Sequence, residues 1–330
     1  MHDFDSLFKK VAGLKVAVIG DIMLDTYWWG KVDRISPEAP VPVVSLQNKE
    51  YRLGGAANVC INTIALNATT TVFTVIGNDD DAGILTGMLQ ASGVNTTYII
   101  RSDERITTNK TRVMGRNQQM MRLDAEITHD ISAHDEALLV ARFKEYIQTT
   151  GADVVIFEDY NKGVLTEGLI TTLINICRKH GIITTVDPKR KNFFAYKKVD
   201  IFKPNLKEVK DALNMQLEAV NIQSLGDVHQ KLFQHLQHNI SLITLSEKGV
   251  FIQSDTESVI IPTHQRNITD VSGAGDTVIA VASLVYAATK NILLAAAMAN
   301  LAGGLVCEEV GTAAINAEKL LGECKGSLSR

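Results

Sequence analysis

The 330-residue sequence is poor in cysteine, and the spacing of its cysteines indicates neither a disulfide framework nor a zinc site. The four cysteines form no CxxC pair and stand at Cys60, Cys177, Cys307 and Cys324. Three of them lie in apolar surroundings, which favours buried free thiols in a reducing compartment. We therefore expect a cytoplasmic protein.

The sequence also lacks an excess of charge of either sign. Its 33 basic and 37 acidic residues leave a net charge of −4, which argues against a broad surface for nucleic acid or for an anionic membrane. A local phosphate pocket is still compatible with this balance. With 45% hydrophobic residues, the composition is that of a globular protein with a large core.

No hydrophobic run is long enough for a membrane helix. The most apolar run, 292–307, is short and contains Asn300 and two glycines, so we expect a buried helix there. Residues 1–10 are polar, and the first apolar run, 16–19, is broken at Asp21. This pattern predicts no signal peptide.

Two common nucleotide-binding strings are missing as well. No GxxxxGK[ST] string occurs, which excludes a P-loop. The string Gly273-Ala-Gly275 is followed by Val278 where the dinucleotide fingerprint requires a third glycine. No acidic residue stands at the distance that would hold a ribose, so a nicotinamide-dependent oxidoreductase is disfavoured.

Three histidines close in sequence also fail to indicate a metal site. His229, His235 and His238 lie on or near one predicted helix among several glutamines. Two of them are three residues apart, a spacing that allows shared coordination of a metal. The glutamine-rich surroundings instead predict an exposed polar face.

The most informative stretch that is present covers residues 269–277. Its glycine turn, Gly273-Ala-Gly275, leads directly into an apolar run, 278–288, that predicts a helix. The backbone N–H groups at such a helix start form an anion site, and Asp276 stands in the same turn. A carboxylate beside an anion site suggests removal of a hydroxyl proton next to a migrating phosphoryl group. The alternative is a simple loop–helix junction with a first-turn acidic residue.

Strands and helices alternate along most of the chain, which predicts an α/β fold with a largely parallel sheet. Predicted strands cover 15–20, 71–76, 154–157, 182–186, 199–202, 242–245, 250–253 and 258–261, and predicted helices cover 134–149, 166–180, 206–213, 224–236 and 278–288.

Polar residues repeatedly follow the predicted strands. They are Asp21, Glu158, Asp159, Asp187, Asn205 and Ser246. Ligands in open α/β sheets gather at the carboxyl ends of the strands, so this recurrence indicates a site there. Asp21 and Asp25 become candidates for sugar hydroxyls, although loop acids that cap the next segment are an equal alternative.

A basic hairpin interrupts the alternation. The runs 107–113 and 120–123 flank a turn at 115–118, and a proline-punctuated segment, 35–44, suits an extended edge. Together they predict a small sheet that covers a pocket as a lid. The hairpin carries Arg112, Arg116 and Arg122, which suit a solvated face as well as a phosphate clamp.

Three strings in the sequence resemble the signatures of the ribokinase-like (pfkB) sugar kinases. Residues 270–277 are similar to the second family signature, 54–58 to the sugar-binding signature, and 205–208 to the family's NxxE element. The resemblance implies a ribokinase-like three-layer α/β/α sandwich with a small β-sheet lid. It implies one kinase domain over residues 1–330, with lid strands drawn from about 38–50 and 98–124, and a homodimer that pairs through the lid.

A closer resemblance, to the D-glycero-β-D-manno-heptose 7-phosphate kinases of this family, lies in five further strings. They cover 20–25, 34–43, 116–124, 159–164 and 187–189. Departures are modest: Ser272 stands where threonine is common, Arg190 replaces a usual glycine, and Phe157-Glu158 replaces smaller residues. Since the chain ends soon after the kinase pattern, we expect a kinase without the adenylyltransferase domain that is often fused to it, acting in ADP-heptose and lipopolysaccharide core synthesis.

The resemblance assigns a role to each candidate residue. Asp276 is the general base, and the turn Gly273, Ala274 and Gly275 holds the transferred phosphoryl group of ATP. Asn205 and Glu208 organise Mg²⁺, with a monovalent cation such as K⁺ also compatible. The nucleotide is bordered by Ser246, Glu247, Gly249 and Asn300. The sugar hydroxyls are bound by Asp21, Asp25, Gly54, Gly55 and Asn58, and the candidates for the 7-phosphate are Arg112, Arg116, Arg122, Lys162 and Lys189.

Three other functions compete with this one. The first is a kinase of the same family for another sugar or sugar phosphate. The second is a catalytically silent sugar-nucleotide sensor, which the intact Asp276, Asn205 and Glu208 argue against. The third is the nicotinamide oxidoreductase already disfavoured above.

Overall fold

The computed structural model of the protein describes residues 3–115 and 118–328. Its strands are β1 Lys15–Gly20, β2 Ile22–Ile35, β3 Pro42–Gly55, β4 Thr69–Gly77, β5 Ile99–Ser102, β6 Asn109–Gly115, β7 Gln118–Ala125, β8 Val154–Glu158, β9 Ile183–Asp187, β10 Ile201–Phe202, β11 Ile240–Thr244, β12 Val250–Gln253 and β13 Ser258–Ile261. Its helices are α1 Phe4–Ala12, α2 Ala56–Ala65, α3 Asp80–Ala91, α4 Ala133–Thr149, α5 Glu167–Lys179, α6 Leu206–Leu213, α7 Ile222–Leu236, α8 Ala274–Thr289, α9 Ile292–Val306 and α10 Ala317–Ser327.

Within these residues the main sheet has nine strands in the order β13-β12-β11-β10-β9-β8-β1-β4-β5. The pairs from β11 to β5 are parallel, and β12 and β13 add an antiparallel edge. Parallel strands require crossover connections, which the helices supply. The carboxyl ends of the parallel strands therefore meet at one edge of the sheet.

The residues of β1 show how the sheet is covered on both faces. Val16 and Val18 pack into one apolar cluster with α1, α2, α8 and α9. Ala17 and Ile19 pack into a second cluster with α4, α5 and α7. Because successive side chains of a strand point to opposite faces, the sheet lies between two helical layers, and the predicted three-layer sandwich is confirmed.

A second sheet forms the lid, and within the described residues its order is β3-β2-β6-β7. The predicted hairpin is present, since β6 and β7 pair antiparallel. Strand β2 pairs antiparallel with β3 and parallel with β6. Asp21 separates β1 in the main sheet from β2 in the lid, so the chain changes sheet at this residue.

The lid differs from the sequence prediction in two ways. Strand β2 was not predicted, because residues 22–35 mix buried and exposed positions with charged residues rather than alternating regularly. Strand β5 was assigned to the lid but pairs in parallel with β4 at the edge of the main sheet. The lid strands therefore begin at residue 22 and, after β3, resume at residue 109.

The predicted exposed face is wrong for two of the three histidines, whereas His235 is exposed as predicted. His229 and His238 are buried, and their rings each form a hydrogen bond with Ser241 Oγ, at 2.9 and 2.6 Å. Burial lowers the pKa of both rings, and that of His238 falls to about 3. Both rings are therefore uncharged, and they pack in the interior of the protein.

Among residues 3–115 and 118–328, no helix has the length and apolar character needed to cross a bilayer. Helix α9, the most apolar stretch in the sequence, is instead buried on most of its residues against α8 and α10.

Candidate active site

The glycine turn of the sequence becomes the start of α8. Gly273 adopts a left-handed backbone with φ of 79°, which glycine reaches without strain. A Cβ on this residue would lie 2.5 Å from Asn58 Nδ2, so the turn also requires glycine sterically. Within the part of the chain that the structure describes, no side chain caps the helix start, which leaves first-turn N–H groups available to an anion. The N–H of Ala274 is the exception, because it donates to Val271 O at 3.3 Å.

Asp276, in the first turn of α8, is 3% exposed and held by two donors. Asn58 Nδ2 donates to Oδ2 at 2.7 Å, and the Tyr160 hydroxyl donates to Oδ1 at 2.8 Å. Burial raises the pKa of Asp276 to about 6, although both hydrogen bonds oppose the rise. A helix start alone would lower this pKa, so desolvation outweighs the dipole and leaves a carboxylate with useful basicity near neutral pH.

A series of ion pairs lies beside Asp276, and two of its members, Asp187 and Lys203, are buried. Lys203 Nζ contacts Asp187 Oδ2 at 2.7 Å, and Lys189 Nζ lies 3.6 Å from the other oxygen of Asp187 and 2.8 Å from Glu208. Burial would raise the pKa of Asp187, but the Lys189 and Lys203 charges together hold it below its usual value. Asp187 therefore stays ionised in the site.

Glu158 adds a third carboxyl to this edge of the sheet. It is fully buried, and within the described residues neither of its oxygens has a hydrogen-bond partner. Burial, followed by the Asp187 and Asp276 charges, raises the pKa of Glu158 well above its usual range. One oxygen from each of Glu158, Asp187 and Asp276 lies within 4.8 Å of the others. Converging carboxylate oxygens of this kind suit a hard cation such as Mg²⁺.

The predicted metal pair Asn205 and Glu208 forms a capping box at the start of α6. Asn205 Oδ1 accepts from Glu208 N, and Glu208 Oε2 accepts from Asn205 N, both at 2.8 Å. The remaining Glu208 oxygen accepts from Lys189. Both carboxylate oxygens of Glu208 are thus engaged within the protein, and Lys189 connects this pair to Asp187.

Asp21, which the resemblance assigns to the sugar hydroxyls, is engaged with the protein backbone. Asp21 is 1% exposed and accepts backbone N–H bonds from Tyr160, Lys162 and Val164 at 2.9, 3.0 and 3.1 Å. Both oxygens are therefore used to shape the loop that follows β8. Through these bonds Asp21 positions the backbone at Tyr160.

Asp25 lies on β2 beside the second glycine turn. Arg112 Nη1 donates to Asp25 Oδ1 at 2.5 Å. A Cβ on Gly54 would collide with the other oxygen of Asp25, and Gly55 has a φ of 60° before α2 begins. Glycine at position 54 lets the backbone pass close to the Asp25 carboxylate, and glycine at position 55 allows the left-handed turn into α2.

Two further candidates for binding the 7-phosphate, Arg122 and Lys162, form ion pairs with carboxylates. Arg122 donates to both oxygens of Asp124 at 2.9 Å and is about half exposed. Lys162 lies 2.8 Å from Glu126. Arg116 lies outside the described residues.

A cavity of about 900 Å³ opens from Asp276 toward the antiparallel edge of the sheet. It brings together the turn at the start of α8 and most of the residues predicted to border the nucleotide. Its lining includes Asp187, Lys189, Asn205, Ser246, Glu247, Gly249, Gly273, Ala274, Gly275, Asp276 and Asn300. Glu208, Asn58 and the residues of the lid sheet are not among the residues that line it.

The far wall of this cavity is made by α9 and the segment before α8. Asn300 Nδ2 donates to Pro262 O at 2.8 Å, which satisfies the buried amide. Gly303 and Gly304 follow one turn later, and a Cβ at either would lie within 3.0 Å of Val278 or Arg266. Glycine at both positions therefore lets α9 pack closely against the side chains of Val278 and Arg266.

The site contains two groups, Tyr160 and Lys203, that the sequence analysis did not name, and a third, Glu158, that it placed at this edge of the sheet without a role. Tyr160 and Asp276 are 116 residues apart, and Glu158 and Lys203 join the site through strands β8 and β10. The available signal was their position just after or at the end of a strand, where ligands gather. Nothing local indicated that Tyr160 would contact Asp276.

Comparison with known proteins gives consistent matches over nearly the whole chain. A family model described as pfkB family carbohydrate kinase matches residues 14–319. Relatives named Bifunctional protein HldE, from Desulfatibacillum aliphaticivorans and Geobacter sulfurreducens, are 41% and 36% identical over 97% and 96% of this chain. The chain spans 64% of the length of each of these relatives.

Solved structures share the fold at low sequence identity. Escherichia coli phosphofructokinase-2 in complex with potassium has a TM-score of 0.80 at 17% identity, covering 96% of this chain and 100% of that one. Arabidopsis thaliana ribokinase complexed with ribose and ATP has a TM-score of 0.71 at 16% identity, covering 94% and 99%. The predicted ribokinase-like architecture is thereby confirmed.

Proposed function

The chain belongs to the pfkB family of carbohydrate kinases, and on that premise we propose that it phosphorylates the anomeric 1-hydroxyl of D-glycero-β-D-manno-heptose 7-phosphate. As a member of this family it is a phosphotransferase that acts on a sugar hydroxyl and uses ATP. The product would be the 1,7-bisphosphate, a precursor for ADP-heptose and the lipopolysaccharide core. The heptose strings in the sequence and the HldE relatives support this choice of sugar.

One observation carries the reaction type. A buried carboxylate, Asp276, stands at the uncapped start of α8, at the end of a cavity of about 900 Å³. The helix start attracts the phosphoryl oxygens, and the carboxylate accepts the proton of the attacking hydroxyl. Because phosphoryl transfer passes through a loose transition state, positioning and charge stabilisation supply most of the acceleration.

The nucleotide is proposed to occupy the cavity from Asp276 to α9. Ser246, Glu247 and Gly249 line one side, and Asn300 lies on the opposite wall. This orientation puts the terminal phosphate against the turn at the start of α8. Dependence on ATP agrees with the cytoplasmic location expected from the four cysteines, all of which are free and buried.

Mg²⁺ is the divalent cation we propose for the phosphates, and the donor set fits it. Asp187 and Glu158 offer buried carboxylate oxygens without hydrogen-bond partners among the described residues, and Mg²⁺ prefers such oxygens. Asn205 and Glu208, the pair implied by the resemblance, lie next to them through Lys189. When bound, the cation would neutralise charge on the phosphates. A monovalent cation such as K⁺ is also compatible with the family resemblance.

The sugar is proposed to lie between Asp276 and the lid. Asn58 bonds to Asp276, and Gly54, Gly55 and Asp25 form the adjacent turn. This arrangement would put the reacting hydroxyl at Asp276 and other hydroxyls against the glycine turn. The lid would close over the sugar and exclude water, as phosphoryl transfer to a hydroxyl requires.

An ADP-release assay with a panel of acceptors tests the proposal. Heptose 7-phosphate is expected to give the highest kcat/KM, followed by identification of the phosphorylated position and anomer in the product. A preference for a hexose phosphate would instead favour a kinase for another sugar phosphate. Absence of ATP turnover with every sugar would favour a catalytically silent sugar-nucleotide sensor. Binding of NADH in a titration would favour a nicotinamide-dependent oxidoreductase.

The pH profile gives a second prediction. Asp276 must be deprotonated to act as a base, and its pKa is raised to about 6 by burial. We therefore expect kcat/KM to reach its maximum above this pKa and to fall about tenfold per pH unit below it. The phosphate group of the sugar also titrates, with a second pKa of about 6. A control is therefore needed to separate titration of Asp276 from titration of the substrate.

Tyr160→Phe is that control. It removes a hydrogen bond that lowers the pKa of Asp276, so the acidic limb should move to higher pH. Titration of the substrate would leave the limb where it is. A limb that does not move would assign it to the sugar phosphate.

We propose that two copies pair through the lid, as the resemblance implies. The lid exposes large apolar side chains, namely Ile35, Val41, Leu46, Met121 and Leu123, at 47–61% exposure. Met121→Asp should shift the protein to monomer in sedimentation equilibrium. Ile222→Asp, at a similarly exposed position on α7, is the matched control and should leave the mass unchanged; a dimer that survives Met121→Asp would contradict pairing through this surface.

A further inference from the structure

The cations named from the sequence as phosphate ligands are already neutralised where the structure describes them. Four of the five have a carboxylate partner: Arg112 with Asp25 at 2.5 Å, Arg122 with Asp124 at 2.9 Å, Lys162 with Glu126 at 2.8 Å, and Lys189 with Glu208 at 2.8 Å. Binding a phosphate with any of these would compete with an existing ion pair. The fifth, Arg116, lies outside the described residues.

Lys110 on β6 differs from all four. It is half-buried, and among residues 3–115 and 118–328 its ammonium group forms no ion pair. Burial, and then the Lys162 charge, lower the pKa of Lys110, while the Asp25, Glu126 and Asp124 charges oppose this. A partly desolvated ammonium without a counter-ion gains more from an incoming dianion than a cation that is already paired.

Lys110 also lies on the sugar side of the site. In the lid it is directly opposite Asp25 on β2 and Asp124 on β7, and side chains of such cross-strand pairs share one face of the sheet. Its Nζ lies 5.8 Å from the centre of the Tyr160 ring, and the hydroxyl of that ring contacts Asp276. One tyrosine therefore separates the ammonium from the proposed base.

We propose that Lys110 binds the phosphate group that the sugar substrate carries away from its reacting hydroxyl. The proposal rests on the function proposed above and specifies which cation selects a sugar phosphate over a free sugar. Lys162 lies close enough to Lys110 to affect its charge, and it would contribute only after release from Glu126. Selection then depends on Lys110 rather than on the arginines of the hairpin.

Lys110→Met tests the proposal by comparing acceptors. For heptose 7-phosphate the variant should lose roughly 10- to 100-fold in kcat/KM, mainly through KM, the size of one hydrogen bond to a charged group. Turnover of the same heptose without its phosphate, and ATP affinity by calorimetry, should stay unchanged. Lys110→Arg should recover part of the loss. Lys49→Met, at an exposed position on β3 of the same lid, is the control.

Several results would overturn the role of Lys110. An equal loss on both acceptors, an unchanged KM, or a larger specific loss in Lys162→Met would each do so. The proposed function fails separately, if the wild-type protein prefers another sugar phosphate. In that case the calorimetric affinity of wild type and Lys110→Met for the preferred sugar phosphate still tests the lysine, and equal affinities would reject it.

Discussion

Replacing Asp276 by asparagine is expected to reduce kcat by roughly 10²- to 10⁴-fold, the usual contribution of a general base. The change is nearly isosteric, and ATP should bind with close to wild-type affinity because the turn at the start of α8 is retained. Steady-state ADP release at saturating substrate measures kcat, and calorimetry measures the affinity for ATP.

The surroundings of Asp276 make this variant interpretable. Its two oxygens accept from Asn58 and from the Tyr160 hydroxyl. In Asp276→Asn the amide oxygen can keep the bond to Asn58, and the hydroxyl of Tyr160 can rotate to accept from the new amide group. The network is therefore preserved while the proton acceptor is lost. Near-wild-type turnover would remove Asp276 from the base role.

Asp159→Asn is the matched control for chemistry and burial. Asp159 is also buried, its pKa is also raised to about 6, and it also accepts from a tyrosine hydroxyl, that of Tyr196. It lies outside the cluster of Glu158, Asp187 and Asp276. This variant should lose stability without a comparable loss of kcat. Equal losses of kcat in both variants would indicate a general response of the site to altered carboxyls.

Much of the main sheet could be predicted because its signals are local. The antiparallel edge strands Val250–Gln253 and Ser258–Ile261 are predicted to the residue, since short apolar runs bounded by turn residues define them. The lid was harder. Strand β2 follows β1 after a single residue, so the polar Asp21 indicated the end of a strand and concealed the start of another.

The candidate active site could likewise be predicted only where its signals are local in the sequence. The turn at Gly273 and the placement of Asp276 follow from neighbouring residues, and so does the capping box of Asn205 and Glu208. The contacts of Tyr160 and Lys110 depend on how the lid and the β8 loop pack. The pKa of Asp276 depends on burial, which reverses the direction expected from the helix start. The sequence can therefore identify candidate residues, but their contacts and pKa values depend on long-range packing.

Replacing Lys203 by methionine is expected to lower the free energy of unfolding by about 3 kcal/mol, the lower end of the cost of breaking a buried ion pair. Lys203 is 2% exposed and contacts Asp187 Oδ2 at 2.7 Å. Its removal leaves Asp187 beside Glu158 and Asp276, with Lys189 at 3.6 Å as the nearer remaining cation. That residual contact is why the lower end of the range applies. Urea unfolding at neutral pH measures the loss.

The cause of that loss can be separated from simple packing in three ways. Adding Asp187→Asn to Lys203→Met removes the orphaned charge and should recover most of the stability, since uncharged partners of similar size tolerate burial. The deficit of the single variant should also shrink at acidic pH, because protonation of Asp187 neutralises the same charge. Lys325→Met, which breaks the exposed pair with Asp5 at 2.7 Å, should cost less than about 1 kcal/mol. A deficit that neither the second substitution nor acid relieves would mean that Lys203 stabilises the site through its packed methylene stem, and that Asp187 keeps its charge through Lys189 alone.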